Sequence, residues 1–155
     1  MAMHTWFECK IRYEKTMENG MQKKVTEPYL VDALSFTEAE ARIIEEMTPF
    51  ITGEFTVSDI KRANYSELFP SDEESADRWF KCKLIFITLD EKSGAEKKTS
   101  TQVLVQAADL RDAVKKLDEG MKGTMADYQI GMVSETPLMD VYPYSAGPND
   151  KPEFD

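Results

Sequence analysis

Two tryptophans alternate with cations at strand spacing. Trp6 shares one face of its segment with Lys10 and Arg12, and Trp79 shares one with Lys81 and Lys83. An exposed indole stacks on a nucleobase for roughly 1–3 kcal/mol, and cations beside it attract phosphates. Lys23, Lys24, Lys97 and Lys98 stand near the turns of the same two hairpins and would extend the path. Such a set suits binding of single-stranded DNA or RNA without base preference. A plainer reading fits the same residues: a tryptophan near a strand start is often covered, and lysines beside it keep an open sheet face soluble.

Little else in the chain offers chemistry. His4 is the sole histidine, so a Ser-His-Asp or Cys-His arrangement has little to work with. The 7 glycines are scattered among turns and form no phosphate loop. Cys9 and Cys82 make neither a disulfide framework nor a zinc site and read as buried, reduced thiols, which points to the cytoplasm. Glu38, Glu40, Glu45 and Glu46 fall on the outward side of a helix, where a solvated face is the ordinary outcome rather than a metal pair. The expectation is a protein that is not an enzyme and carries no cofactor and no metal.

The elements behind these residues come in two copies. Trp6-Phe7-Glu8-Cys9-Lys10-Ile11 returns as Trp79-Phe80-Lys81-Cys82-Lys83-Leu84, and the chain has only 2 Trp and 2 Cys. Leu30-Val31-x-Ala33 matches Leu104-Val105-x-Ala107, and Glu67-Leu68-Phe69-Pro70 matches Asp140-Val141-Tyr142-Pro143. An internal duplication follows. Phe7, Cys9, Ile11 and Tyr13 alternate with polar residues, which predicts a strand with one apolar face. Asn19-Gly20 and Ser93-Gly94 predict the turns into second strands. Ser35-x-x-Glu38 and Asp109-x-x-Asp112 read as helix starts. Phe36, Ala39, Ile43 and Met47, and then Leu110, Ala113, Val114, Leu117 and Met121, form the stripes expected to be buried. Phe55 to Ile60 and Tyr128 to Val133 predict third strands, each running on toward the proline-closed ending.

The predicted fold class is α+β: a duplicated ββαβ(β) repeat, with antiparallel sheets and two helices packed on one side. Repeat 1 covers 6–70 and repeat 2 covers 78–144, sharing one core, because a repeat of this size alone would be marginal. Residues 71–77 form an acidic linker expected to stay solvated, and 145–155 a loose acidic tail with Phe154 next to its end. The opening Met1–Thr5 is too short and polar for a signal peptide, and no apolar stretch approaches the roughly 20 residues of a membrane span.

Net charge is −10, which opposes coating of nucleic acid, but the charge is sorted. Segments 6–28 and 78–103 hold 11 Lys or Arg against 7 Asp or Glu, and the remainder 8 against 22. The hairpins are therefore basic, while helices, linker and tail are acidic.

With Trp-Phe-x-Cys-Lys at the front, Leu-Val-x-Ala before the first helix and Val-Tyr-Pro at the close, the chain resembles an uncharacterised family, a domain of unknown function from gut bacteria and their phages and mobile elements. The resemblance covers residues 5 to 144 and brings no catalytic residues. It implies no established activity; a mobile-element setting slightly favours a DNA-related role, and also a role as an inhibitor of host defence. The first functional expectation is a single-stranded nucleic-acid-binding module. The alternative is a protein-interaction or inhibitor module whose acidic helices, linker and tail make the contact.

Overall fold

The structure, a computed structural model, describes residues 5–143. The predicted acidic tail, 145–155, and His4 lie outside the described residues. The fold is α+β, with two four-stranded sheets and two helices, as the repeated ββαβ pattern requires.

In the first copy, β1 (Thr5–Thr16) and β2 (Gln22–Ala33) form an antiparallel hairpin turned through Gly20, whose φ of 83° a glycine adopts without strain. α1 (Phe36–Met47) follows, then β3 (Phe55–Ala63). A three-residue strand, β4 (Glu67–Phe69), ends the copy. The second copy repeats the order as β5 (Arg78–Leu89), β6 (Glu96–Ala107), α2 (Leu110–Gly120), β7 (Asp127–Glu135) and β8 (Asp140–Tyr142).

Both helix starts form where the sequence places them. Ser35 Oγ accepts from the Glu38 amide at 3.1 Å, and the Glu38 carboxylate accepts from the Leu34 amide at 2.7 Å. Asp109 and Asp112 repeat this reciprocal arrangement at 2.8 and 2.9 Å. Each third strand carries a bulge against the first. Ser58 and Gly131 are the extra residues, at matching places in the two copies.

The short fourth strands depart from the sequence order. One sheet runs β3-β1-β2-β8 and the other β4-β6-β5-β7, so each copy gives its last strand to the sheet of the other. β8 lies parallel to β2 and β4 parallel to β6. The sheets are therefore mixed rather than purely antiparallel, because these strands arrive from elsewhere in the chain and not through a hairpin. The compact units accordingly break at other places than the repeats: one holds residues up to Ala63 together with Leu138 onward, the other Asn64–Pro137.

One core shared by the copies is the expectation; on the helix side of each sheet the buried apolar residues form a cluster of their own, and Leu30, Trp79, Leu104 and Val141 are buried outside both clusters. Phe7, Cys9, Ile11, Val31, Ala39, Ile43 and Met47 pack between α1 and its sheet. Phe80, Cys82, Leu84, Val105, Ala113 and Leu117 do the same under α2. The linker is less solvated than its charge implies: Ala76 is buried, the Ser71 amide donates to Gln106 at 2.9 Å, and Glu73 pairs with Lys116 at 2.5 Å.

Cys9 and Cys82 are free, buried thiols. Burial pushes Cys9 up to about 12, helped by the nearby carboxylates of Glu8 and Asp59, and pushes Cys82 up to about 11. Neither thiol should react with an alkylating reagent at pH 8 until the chain is unfolded. The unfolded thiols lose their protons from about pH 9, while the folded ones keep theirs. The unfolded state then binds fewer protons, so their contribution to stability is lost as pH rises from about 9 toward 12. Denaturant midpoints measured across that range check the sign.

Candidate functional site

The residues proposed from sequence do not assemble into one cationic, aromatic face. Trp79 is buried, with only 5% of its surface exposed, and its carbonyl accepts from the Thr136 amide and hydroxyl at 2.8 and 2.9 Å. Trp6 is half-buried. Trp79 is therefore not an open stacking platform, and the paired-indole expectation is corrected at that position. The cause is the second face of each sheet. Leu30 and Leu104, on the side away from the helices, are fully buried, and Val141 beside Leu30 is 8% exposed. The sequence signal lay in Leu30-Val31 and Val103-Leu104-Val105: consecutive apolar residues, unlike an alternating pattern, mark a strand covered on both faces.

The cations are split as well. Lys10, Lys81 and Lys83 are half-buried on the face of the indoles, and Arg12 is exposed there. Lys24 pairs with Glu14 on that face, whereas Lys23 pairs with Lys15 on the opposite one. Lys98 and Lys97 are divided in the same way, opposite Ile87 and Thr88. Adjacent lysines in a strand point to opposite faces, so neither pair extends a single path. Arg12 and Lys24 do meet, at an open cleft of about 590 Å³ beside Tyr13 and Phe55, but Glu14 and Glu54 line it too. The lining is balanced in charge and is no phosphate groove.

Copy one carries a polar cluster that copy two lacks. Tyr13 and Tyr29 donate to one oxygen of Glu27, at 2.9 and 3.2 Å, and Lys15 approaches the other at 3.9 Å. Burial, followed by the Glu27 carboxylate, raises the Tyr29 phenol well above its usual range. The matching residues of copy two are Phe86, Val103, Thr101 and Thr88, so the carboxylate has no counterpart there. Among the described residues, no group of three or more His, Cys, Asp and Glu is placed to hold a metal, and no helix is long and apolar enough to cross a membrane.

The two helices present different outer sides. On α1, Glu38 is committed to the helix start and Glu46 is half-buried, which leaves Glu40 and Glu45 exposed. Ile44 stands between them, 42% exposed. Leu34 and Phe36 at the start of α1 are about half exposed, and Phe50, whose amide bonds to Met47 just past the helix, is 75% exposed. On α2, Glu40, Ala41, Ile44 and Glu45 are matched by Val114, Lys115, Asp118 and Glu119. The predicted acidic helix surface thus belongs to α1, and the exposed apolar residues around it went unnoticed in the sequence because Phe36 reads as part of the buried stripe.

Comparison with known proteins matches residues 5–144 to a family described as a domain of unknown function (DUF4494). No curated protein matches the sequence.

Proposed function

We propose, for a chain that belongs to the DUF4494 family, that it is a protein-binding module which docks its partner on the outer side of α1. The observation that carries this reading is the exposure of Ile44 and Phe50, with Leu34 and Phe36 at the helix start, beside exposed Glu40 and Glu45; α2 has Asp118 in place of Ile44 and Ala108 in place of Leu34, and keeps an exposed apolar residue, Leu110, in place of Phe36. Exposed apolar side chains rimmed by charge are the ordinary composition of an interface, with apolar anchors at the centre and charges that steer. Two carboxylates here, on a chain of net charge −10, select a basic partner surface. The burial of Trp79 and the balanced charge around Arg12 and Lys24 weigh against the nucleic-acid reading.

The test uses a partner captured from a host lysate on the immobilised chain and then purified. Phe50→Ala or Ile44→Asp should weaken binding by at least about tenfold, as loss of an interface anchor does. Glu45→Lys should slow association and flatten its salt dependence, and Lys115→Glu on α2 should leave binding unchanged. Equal binding by all four variants would end this reading. Salt-sensitive binding of a labelled single-stranded oligonucleotide would restore the other.

A further inference from the structure

The exchange of β4 and β8 is imposed by the length of the connections. Ala63, the last residue of β3, lies level with Trp6 and so with Asp32 of β2. The outer position beside β2, where β8 sits, begins at Tyr29. To reach it, copy one's own β4 would have to cross three strand spacings of about 4.8 Å and step back three residues, a displacement of about 17 Å. From Ala63 to Glu67 the chain spans at most about 14 Å. In copy two the same displacement is about 16 Å against a reach of about 18 Å, but the straight line runs through the sheet itself. Neither copy can fill its own edge.

Both edges receive their strand in the same way. The amide just before the strand donates to the acceptor strand: Ser66 to the Gln102 carbonyl at 2.8 Å, and Met139 to the Pro28 carbonyl at 2.9 Å. An aliphatic residue lies on the face away from the helix, Leu68 beside Leu104 and Val141 beside Leu30. An aromatic residue packs against the helix-side cluster, Phe69 under α2 and Tyr142 under α1. Phe69 sits so close to α2 that a Cβ on Gly120 would meet its ring at 2.9 Å. A proline then ends the strand, and a helix cation holds the exit. Arg42 donates to the Pro143 carbonyl at 2.9 Å; the matching Lys116 donates to Ser71 Oγ at 3.1 Å and pairs with Glu73.

We propose that the outer edges of β2 at Tyr29–Val31 and of β6 at Val103–Val105 are docking sites for an extended acid–aliphatic–aromatic–proline peptide. Each site is occupied by the segment of the other copy, so the two copies hold together without the peptide bond that joins them. This is strand addition with side-chain pockets, and it stands apart from the α1 surface above.

A protease site inserted between Glu74 and Ser75 in the full chain tests it. After cleavage the two pieces should co-elute at the mass of the parent in gel filtration under native conditions. Elution as two species of about half that mass would overturn the proposal. The cleaved chain carrying Leu68→Asp and Val141→Asp should separate; continued co-elution would show that other contacts hold the pieces. In the uncleaved Val141→Asp chain, a synthetic peptide of residues 137–143 should raise the melting temperature, and the same peptide carrying Tyr142→Asp should not. Equal effects of the two peptides would count against a site that reads the aromatic residue.

Discussion

Trp79→Ala should lower stability by about 3–5 kcal/mol, the usual cost of emptying a buried aromatic site. Trp6→Ala should cost visibly less. The two positions match in sequence and separate in burial: Trp79 is 5% exposed, whereas Trp6 is half-buried. Truncation at Trp79 removes a large apolar surface and leaves a cavity in a region that holds its backbone through two hydrogen bonds to Thr136. Trp6 loses only the part of its ring already out of water. Denaturant unfolding of the two single variants measures the difference. Equal, small effects would mean that Trp79 is open to solvent, and the base-stacking role would return to consideration.

Phe7→Ala should also cost about 3–5 kcal/mol, near the upper end. Phe7 is fully buried in the cluster under α1. Its ring meets Phe36 edge-on with centroids 4.9 Å apart, and the Arg62 guanidinium lies 6.0 Å from its centre. Edge-to-face pairing adds roughly 0.5–1.5 kcal/mol beyond the area buried. Removal of Phe7 also strips Phe36 of its edge-on ring partner, leaving the Arg62 guanidinium 5.6 Å from its centre, so the start of α1 should become more mobile. Amide exchange at residues 36–39 should rise more than at 44–47. A uniform rise along α1 would mean that the pair does not anchor the start of the helix.

The duplicated pattern was legible because each local signal agrees with the next. Alternation marks the starts of β1 and β5 within a residue, though both strands run three residues past the last alternating aromatic residue, Tyr13 and Phe86; the glycine turns mark the hairpins, and the two capping boxes mark the helix starts. The destination of the fourth strands was not legible. Glu67-Leu68-Phe69 and Asp140-Val141-Tyr142 say strand, but no local propensity tells which edge a strand joins. That follows from connector length and sheet order, which appear only once the sheet is built. The candidate site failed for a related reason. Phe7, Cys9 and Ile11 imply one apolar face per strand, but each sheet also buries part of its second face, one at Leu30 and the other at Leu104. Lys23 and Lys24 are neighbours along the chain, but period two sends them to opposite sides of the sheet. On α1 the carboxylates expected on the outward side narrow to Glu40 and Glu45 as the exposed pair.

The reciprocal strands also bear on the order in which the protein is made. Translation delivers copy one first, yet the edge of β2 stays bare until Asp140–Tyr142 has been added. For the time between, β4 waits for Val103–Val105 to emerge before it has anything to pair with. A ribosome stalled inside copy two would therefore hold a nascent chain with an open sheet edge, the kind of surface that chaperones bind and that joins neighbouring chains into aggregates.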